Sequence, residues 1–232
     1  MKKLFITLCS TLMLAVSASA SGNIAHDFYN NYDTGTNLAA YNKDISTLIG
    51  LSDFHTGQAT TFPGFDIGAS YSAVKVSKHN DFSSKDYLTT GFLRAETYIP
   101  VVGITVALRG TDFNGLESIG GGLKYSYNFL EIAHLSLSGF YDRAKNDYYT
   151  LDHYSASAVV SASLPIVTPY AGIGYDYGDF SVRRIGNRST SDGSMRYTAG
   201  VNLHPFPFIY VFGAYTKTSG NEGFNGGIGI NF

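Results

Sequence analysis

The sequence predicts an all-β fold, a transmembrane up-and-down antiparallel β-barrel of about ten strands preceded by a short N-terminal helical segment. First, segments with a two-residue apolar period recur from residue 64 to residue 232, as expected for strands with one apolar and one polar face. Second, the chain contains 26 glycines, 18 tyrosines and 16 phenylalanines, whereas only 15% of its residues are charged. Third, beyond residue 20 it has no apolar run of the ~18 residues that a membrane-spanning helix requires.

The first element, residues 1–20, is predicted to be a secretory signal peptide. Two lysines at its start are followed by a short apolar stretch, and Ala-Ser-Ala at 18–20 fits a small-residue cleavage site. The one cysteine, Cys9, lies in this segment, so the mature protein has no thiol for a disulfide or a thiolate metal site. Removing both lysines leaves 14 basic residues (16 less 2) against 18 acidic residues, a formal charge of −4, which argues against a nucleic-acid partner.

Residues 21–63 are predicted to be a periplasmic or plug segment with a helix near 37–51. Apolar residues from Leu38 to Leu48 recur at helical spacing, and Asn37 is a suitable N-cap. A helix this short is marginal in water, so it needs a surface to pack on. It either covers the periplasmic mouth of the barrel or enters the lumen as a plug. Many lumen-facing positions are glycine or serine, which favours a plug or a narrow pore, although glycines also relieve crowding in a strongly curved sheet.

The barrel itself is assigned to residues 64–232. Each predicted strand is about as long as a tilted strand that crosses a bilayer, and the number of strands is even, as in single-chain bacterial barrels. The strands are predicted near 64–76, 87–99, 101–110, 116–128, 132–143, 151–164, 168–178, 193–203, 207–217 and 222–232.

Polar loops and tight turns alternate between these strands, and this alternation predicts the polarity of the barrel. All six prolines fall on the tight-turn side, where a residue without an N–H does not interrupt a strand ladder. Long loops outside and short turns in the periplasm are typical of outer-membrane barrels, so both termini of the mature chain are predicted to be periplasmic. The prolines are Pro63, Pro100, Pro165, Pro169, Pro205 and Pro207.

The alternation assigns one face of each strand to lipid and the other to the lumen, although strand nine is ambiguous because both of its faces are apolar. Serine, glycine, threonine and asparagine dominate the lumen faces, together with charges of both signs that suit a confined, paired interior. The predicted lumen charges are Asp66, Arg94, Glu96, Arg109, Lys124, Asp142, Asp176 and Arg196. Lys75 is an exception on the lipid face, explained either by snorkelling to the interface or by a bulge.

The last strand carries the most specific pattern. Phe232 is terminal, and Phe224, Ile228 and Ile230 share its face, while glycines and asparagines fill the other. This strand resembles the C-terminal recognition strand of outer-membrane proteins, which the barrel-assembly machinery reads. The resemblance implies a bacterial outer-membrane protein whose partners are outer-membrane lipid, lipopolysaccharide and, during insertion, the assembly machinery.

Two groups of residues are candidate catalytic sites. His134-Leu135-Ser136, with Asp142 on the same face, resembles the serine–histidine site of lipid A deacylases, but it points into the lumen on the periplasmic side, away from lipid A. Asp152-His153 resembles part of an omptin-type protease site, without the paired acidic residues of those enzymes. The other histidines show no metal-ligand spacing. The sequence therefore predicts no enzyme and no cofactor.

The fourth loop, 178–193, is the most basic. Arg183, Arg184 and Arg188 are predicted to contact lipopolysaccharide, because arginine binds phosphate bidentately and the nearest surface phosphates belong to that lipid.

Three functions remain open from the sequence. The first is a narrow or plugged channel for small polar solutes, suggested by the small and mixed-charge lumen residues. The alternative is a non-transporting structural or surface-interaction barrel with a sealed lumen. An outer-membrane hydrolase is the least favoured.

Overall fold

The computed structural model describes residues 23–33, 37–58, 64–130 and 132–232, which form a closed barrel with two helices before it. The predicted signal peptide and Pro63 lie outside the described residues. The elements are α1 (Ile24–Asn30), α2 (Leu38–Gly50), β1 (Phe65–Lys75), β2 (Tyr87–Ile99), β3 (Ile104–Phe113), β4 (Leu116–Asn128), β5 (Ala133–Lys145), β6 (Tyr149–Ala162), β7 (Val167–Val182), β8 (Ser189–Phe206), β9 (Ile209–Thr218) and β10 (Glu222–Asn231). Neither helix is long and apolar enough to cross a membrane.

Every strand pairs antiparallel with its neighbours in chain order, and β1 pairs with β10 to close the ring. Reciprocal backbone hydrogen bonds between Phe65 and Phe232, of 2.6 and 3.0 Å, extend this last ladder to the end of the chain. The predicted ten-strand up-and-down barrel is therefore confirmed.

The strand bounds differ from the predicted ones mainly at two places. β3 begins at Ile104 and not near 101, because Val101 and Val102 belong to a turn that Gly103 completes with a φ of 69°. β7 and β8 extend further into the fourth loop than predicted, since their ladder continues to the Ser181–Ser189 pair. Serines and charges at these ends interrupt the apolar period without interrupting the backbone pairing.

The two ends of the barrel differ in the connections they carry. The loop mouth carries the links after β1, β3, β5, β7 and β9, and the turn mouth carries the links after β2, β4, β6 and β8. The five described prolines all lie at the turn end, including Pro169 near the start of β7 and Pro205 beside the one irregularity in the β8–β9 ladder.

The segment before the barrel threads the lumen. α1 lies at the loop mouth, where the Ile24 N–H donates to the Asn114 carbonyl at 2.7 Å. α2 begins at its cap Asn37, whose side chain accepts from the Ala39 N–H at 3.1 Å, and lies almost wholly buried inside the barrel. Residues 51–58 continue toward the turn mouth, where Gly57 packs against β5 and β6. We call residues 37–58 the plug.

The two ends of the described chain lie at opposite mouths, which corrects the expectation that both termini share the turn side. Phe232 is at the turn mouth as expected, but Asn23 lies beside Gly115 at the loop mouth. A 13-residue helix is about 20 Å long, and residues 51–58 continue from it to the turn mouth through turns and bends. The apolar side chains of α1 are also buried against other apolar residues at the loop mouth.

The faces of the strands follow the alternation. Leu108 on β3 is exposed to the outside, whereas its neighbour Arg109 is buried in the lumen. On β9, which was ambiguous, Tyr210 and Phe212 are buried in the lumen. Lys75 does lie on the outer face, in a regular ladder without a bulge, and its ammonium pairs with Glu222 at 3.3 Å.

Candidate functional site in the lumen

The contacts between the plug and the barrel wall form three layers, beginning with an aromatic layer below the loop mouth. Phe28 of α1 and Tyr41 of α2 pack with Phe82, Tyr149 and Phe180, at ring-centroid distances of 4.6 to 5.9 Å. The Tyr41 hydroxyl lies 3.2 Å from that of Tyr149. The strands therefore present an apolar lumen at this end. This apolar core differs from the polar lumen faces that the strand patterns predict.

On both sides of the aromatic layer, polar side chains of α2 form hydrogen bonds with the loops and the wall. Asp44 accepts hydrogen bonds from the side-chain amides of Asn80 and Asn221 (both 2.6 Å) and from the Ser77 backbone N–H (3.0 Å), which ties α2 to the first and fifth loops. Burial raises the pKa of the Asp44 carboxyl, and these donors partly offset that rise. On the opposite side, the Asn42 amide donates to the Gly178 carbonyl at 2.8 Å.

Asp53 of the plug lies at the centre of the middle layer. It accepts from Arg109 at 2.8 Å, from the Ser157 hydroxyl at 3.0 Å and from Arg196. Arg109 also makes a bidentate pair with Asp142, at 2.7 and 2.5 Å. Asp53 thus joins two wall arginines from β3 and β8 that no side chain of the wall links directly among the described residues.

His153 completes this layer on β6. Its two ring nitrogens lie 3.1 Å from Asp142 and 3.3 Å from Asp176, and Asp176 in turn lies 3.5 Å from Arg196. The chain of charges from Arg109 to Arg196 is therefore continuous around this side of the lumen. The predicted Asp152–His153 pair is split between the two faces, because Asp152 points outward and accepts from Tyr141 at 2.7 Å.

The third layer lies toward the turn mouth. His55 of the plug lies 3.4 Å from Asp66 and stacks on Tyr210, with ring centroids 4.6 Å apart. Glu96 pairs with Lys124 at 3.1 Å and with Arg94 at 3.4 Å.

All eight predicted lumen charges therefore face the lumen, and each pairs with another of them or with the plug. None of the eight residues is more than 9% exposed, and Asp142, Asp176 and Arg196 are fully buried. On the other side of the ring, Ser72, Thr90, Thr216 and Asn225 are at most 4% exposed. Since the lining of an open aqueous path would be accessible to water, the described residues close the lumen at this level.

Three wall glycines make room for the plug. A Cβ at Gly178 would overlap Asn42 and Ser46 of α2. A Cβ at Gly172 would meet Phe54 at 2.9 Å, and one at Gly223 would meet Leu51 at 3.0 Å. Other lumen glycines, such as Gly200 beside Tyr170, accommodate side chains of the wall itself. Some lumen glycines therefore make room for the plug, and others relieve crowding among the side chains of the wall.

A cavity of about 620 Å³ opens at the turn mouth, below the third layer. Its inner wall is polar and its rim is apolar. The inner wall includes His55, Asp66, Lys124, Ser163, Thr168, Asn202 and His204, and the rim includes Leu164, Pro165, Phe206, Phe208 and Phe232.

His134 lies next to this cavity, but its partners differ from those suggested by the sequence. Its Nε2 lies 2.8 Å from the Ser163 hydroxyl and its Nδ1 lies 2.7 Å from the Asn128 side-chain oxygen. The Ser136 hydroxyl is buried without a hydrogen-bond partner among the described residues, and Asp142 is bound to Arg109. The structure thus does not assemble the predicted His134–Ser136–Asp142 group.

The three loop arginines lie at the loop mouth. Arg183 and Arg184 are exposed, and Arg184 pairs with Asp147 at 3.2 Å. Arg188 is half-buried and donates to the Asp33 carbonyl at 3.3 Å. Their contact with lipopolysaccharide stays a prediction, as does the reading of the last strand by the assembly machinery. Phe224, Ile228, Ile230 and Phe232 all lie exposed on the outer face.

Sequence reasoning missed Asp44 and Asp53, which join the plug to the wall. It considered His153 only in a protease-like pair with Asp152 and not as the link between the wall charges. Asp53 follows the helix and lies outside any strand period, so no pattern marks it. Asn42, Asp44 and Ser46 did offer a signal, because they belong to a stretch in which five of the six residues from 42 to 47 are polar, between apolar ends of the helix.

No family model and no curated protein matches this chain. Among solved structures it is similar to the translocator domain of the autotransporter NalP from Neisseria meningitidis (TM-score 0.46, 12% identity, 80% of this chain and 93% of that chain). It is also similar to the N-terminal β-barrel domain of Pseudomonas aeruginosa OprF (0.41, 12%, 73% and 97%) and to Neisserial surface protein A (0.39, 14%, 72% and 95%). All three are bacterial outer-membrane β-barrels.

Proposed function

We propose that the protein is an integral outer-membrane β-barrel whose lumen is closed by its own plug, so that it serves as a structural or surface-interaction barrel and not as an open pore. The observation that carries this proposal is the buried middle layer, in which Asp53 of the plug joins Arg109 and Arg196 of the wall. A folded chain with this layer intact offers solutes no water-filled path.

The outer surface supports membrane insertion. Large apolar side chains are exposed along the outer face, among them Leu93 at 70% and Ile173 at 49%. Together these side chains form an apolar belt around the barrel. Tyr141, Tyr154 and Tyr177 form part of an aromatic girdle on the loop side of this belt, as at a membrane interface. With the turns in the periplasm, the loop mouth, α1 and the three loop arginines face outward, where lipopolysaccharide is the adjacent lipid.

The absence of tryptophan from the chain allows a direct test of insertion with single tryptophan reporters. In vesicles with brominated acyl chains, the fluorescence of Leu137→Trp, in the middle of the belt, is expected to be quenched strongly. A matched reporter in the fifth loop, Ser219→Trp, is expected to respond to aqueous iodide instead. Equal responses of both reporters to both quenchers would contradict the proposed insertion.

A gated channel for small polar solutes is the second candidate, favoured by the polar cavity at the turn mouth and by the paired charges along the wall. The two candidates differ in whether the plug leaves the lumen. Ser46 of α2 faces Gly178 of β7, close enough for a cysteine pair at these positions to form a disulfide.

Planar-bilayer recordings of Ser46→Cys/Gly178→Cys separate the two candidates. A sealed barrel is silent both oxidised and reduced. A gated channel is silent when oxidised and shows conductance steps when dithiothreitol is added. Wild-type protein under the same reducing conditions is the control, and steps in oxidised protein would show that the plug does not close the lumen.

A further inference from the structure

We propose that Ser163, His134 and Asn128 form a hydrolytic site for carboxylic esters with an apolar acyl chain, at the turn-mouth cavity. The proposal does not depend on whether the lumen conducts. It also departs from the sequence-based expectation that the protein is not an enzyme.

The three residues come from the ends of three adjacent strands. Asn128 on β4 lies directly opposite His134 on β5, and His134 lies opposite Ser161 on β6, two residues before Ser163. Residues two apart share a face, so all three side chains point into the lumen at the turn mouth. The Ser163 backbone is held by its N–H, which donates to the Ile132 carbonyl at 2.7 Å.

One neutral tautomer of His134 satisfies both of its hydrogen bonds. The Nδ1–H donates to the Asn128 oxygen at 2.7 Å, and Nε2 accepts from the Ser163 hydroxyl at 2.8 Å. This is the order nucleophile, general base and orienting group by which a weak serine nucleophile is activated. Ser163 lines the cavity, whereas His134 lies behind it and is 5% exposed, so the hydroxyl is the group that meets a ligand.

The cavity indicates the substrate class. Leu164, Phe206 and Phe208 form an exposed apolar rim beside Ser163, which suits an acyl chain reaching the cavity from the adjacent lipid. Thr168 and Asn202 on the inner wall carry a hydroxyl and an amide that are able to donate to a developing oxyanion.

The reaction proceeds in two steps, acylation of Ser163 and hydrolysis of the acyl-serine. The Ser163 oxygen bonds to the ester carbonyl carbon while its proton passes to His134. The carbon–oxygen bond to the alcohol then breaks, and His134 returns the proton to the leaving alcohol, which gives an acyl-serine. A water oxygen then bonds to the acyl carbon while its proton passes to His134. The bond between this carbon and the serine oxygen breaks, His134 returns the proton to the serine oxygen, and the carboxylic acid leaves. Asn128 acts as a positioning residue that holds the ring of His134.

The experiment uses the full chain reconstituted in phospholipid vesicles. A fluorophosphonate probe is expected to label Ser163, identified by peptide mass spectrometry, and p-nitrophenyl esters of long acids are expected to be cleaved faster than the acetate. Ser163→Ala and His134→Ala are expected to reduce turnover by ~100-fold or more. Release of fatty acid from the vesicles themselves, compared with cleavage of the micellar esters, distinguishes membrane lipid from free ester as the source of the acyl chain.

Two further variants test the roles of the groups. Asn128→Ala is expected to lower the rate and shift its pH profile, whereas Asn128→Asp, which keeps an acceptor for Nδ1, restores most of the rate. Ser136→Ala removes the lumen serine that His134 does not contact, and it is expected to stay within about twofold of wild type. Wild type without a label on Ser163, or Ser163→Ala as active as wild type, would overturn the proposal, and a preference for acetate would overturn the substrate class.

Discussion

The loop half and the turn half of this barrel have opposite polarity. In the loop half the lumen holds an apolar core around Phe28, Tyr41 and Phe180, while the outer surface carries ion pairs such as Lys145–Glu117 and Lys75–Glu222. In the turn half the lumen holds charged and polar side chains beside a smaller apolar cluster of Phe54, Val159 and Tyr170, and the outer surface is apolar. There every charged side chain among the described residues faces the lumen, namely Asp66, Arg94, Glu96 and Lys124.

This difference shows that one sheet is adapted to two solvents. The loop half resembles a soluble protein, in which the hydrophobic effect gathers apolar side chains inside. The turn half resembles a membrane protein, whose outside contacts hydrocarbon. Its tips continue the apolar surface, since Val101 is 92% exposed and Leu130 is 62% exposed. The plug crosses both halves, so it is held by burial at one end and by charge pairing at the other.

The largest expected effect on the plug is in the charged layer. Asp53→Ala leaves Arg109 and Arg196 buried with one acidic partner fewer, and breaking a buried pair of this kind costs about 3–5 kcal/mol. We expect the free energy of local opening of α2, measured by amide hydrogen exchange, to fall by that amount. Asp192→Ala, which removes a half-exposed pair with Lys43, is the control and is expected to cost less than about 1 kcal/mol. A smaller loss for Asp53→Ala than for the control would show that the plug is not held by this layer.

A similar or slightly smaller effect is expected in the apolar core. Leu48→Ala removes a fully buried side chain of α2 and is expected to lower the same opening free energy by about 2–5 kcal/mol. Leu137→Ala, on the outer face of the turn half, removes a side chain of the same type that does not contact the plug. It is expected to leave the protection of the α2 amides unchanged, and equal losses for the two variants would contradict the division into halves.

The smallest effect concerns the fit between plug and wall. Gly178→Ala places a methyl group against Asn42 and Ser46, and such overpacking costs about 1–3 kcal/mol. Gly213→Ala adds the same methyl group where nothing lies within 4 Å, so it is expected to be nearly neutral. The exchange rates of the α2 amides in the two variants measure the difference. Equal rates would indicate that Gly178 serves wall curvature and not the plug.

Much of the barrel could be predicted from the sequence, because the alternation of Leu108 and Arg109 and of similar neighbours directly encodes two faces. The turn prolines and the even number of strands follow from the same local rules. The structure also places the eight predicted lumen charges inside, since period-2 geometry leaves them no other face. The hydrogen-bond partners of individual side chains could not be predicted. The contact between His134 and Ser163, for example, depends on the register between β5 and β6, which no local pattern specifies.

The sequence by itself determined the fold class, the approximate strand positions and the inward face of every strand except β9, since these depend on residues that are near neighbours in the chain. Only the tertiary structure decided that the segment before the barrel enters from the loop mouth, and that Asp53 joins Arg109 to Arg196. These contacts bring together residues more than 50 positions apart. They depend on the shape of the lumen that remains when all ten strands have closed into a barrel, and no local stretch of sequence specifies that shape.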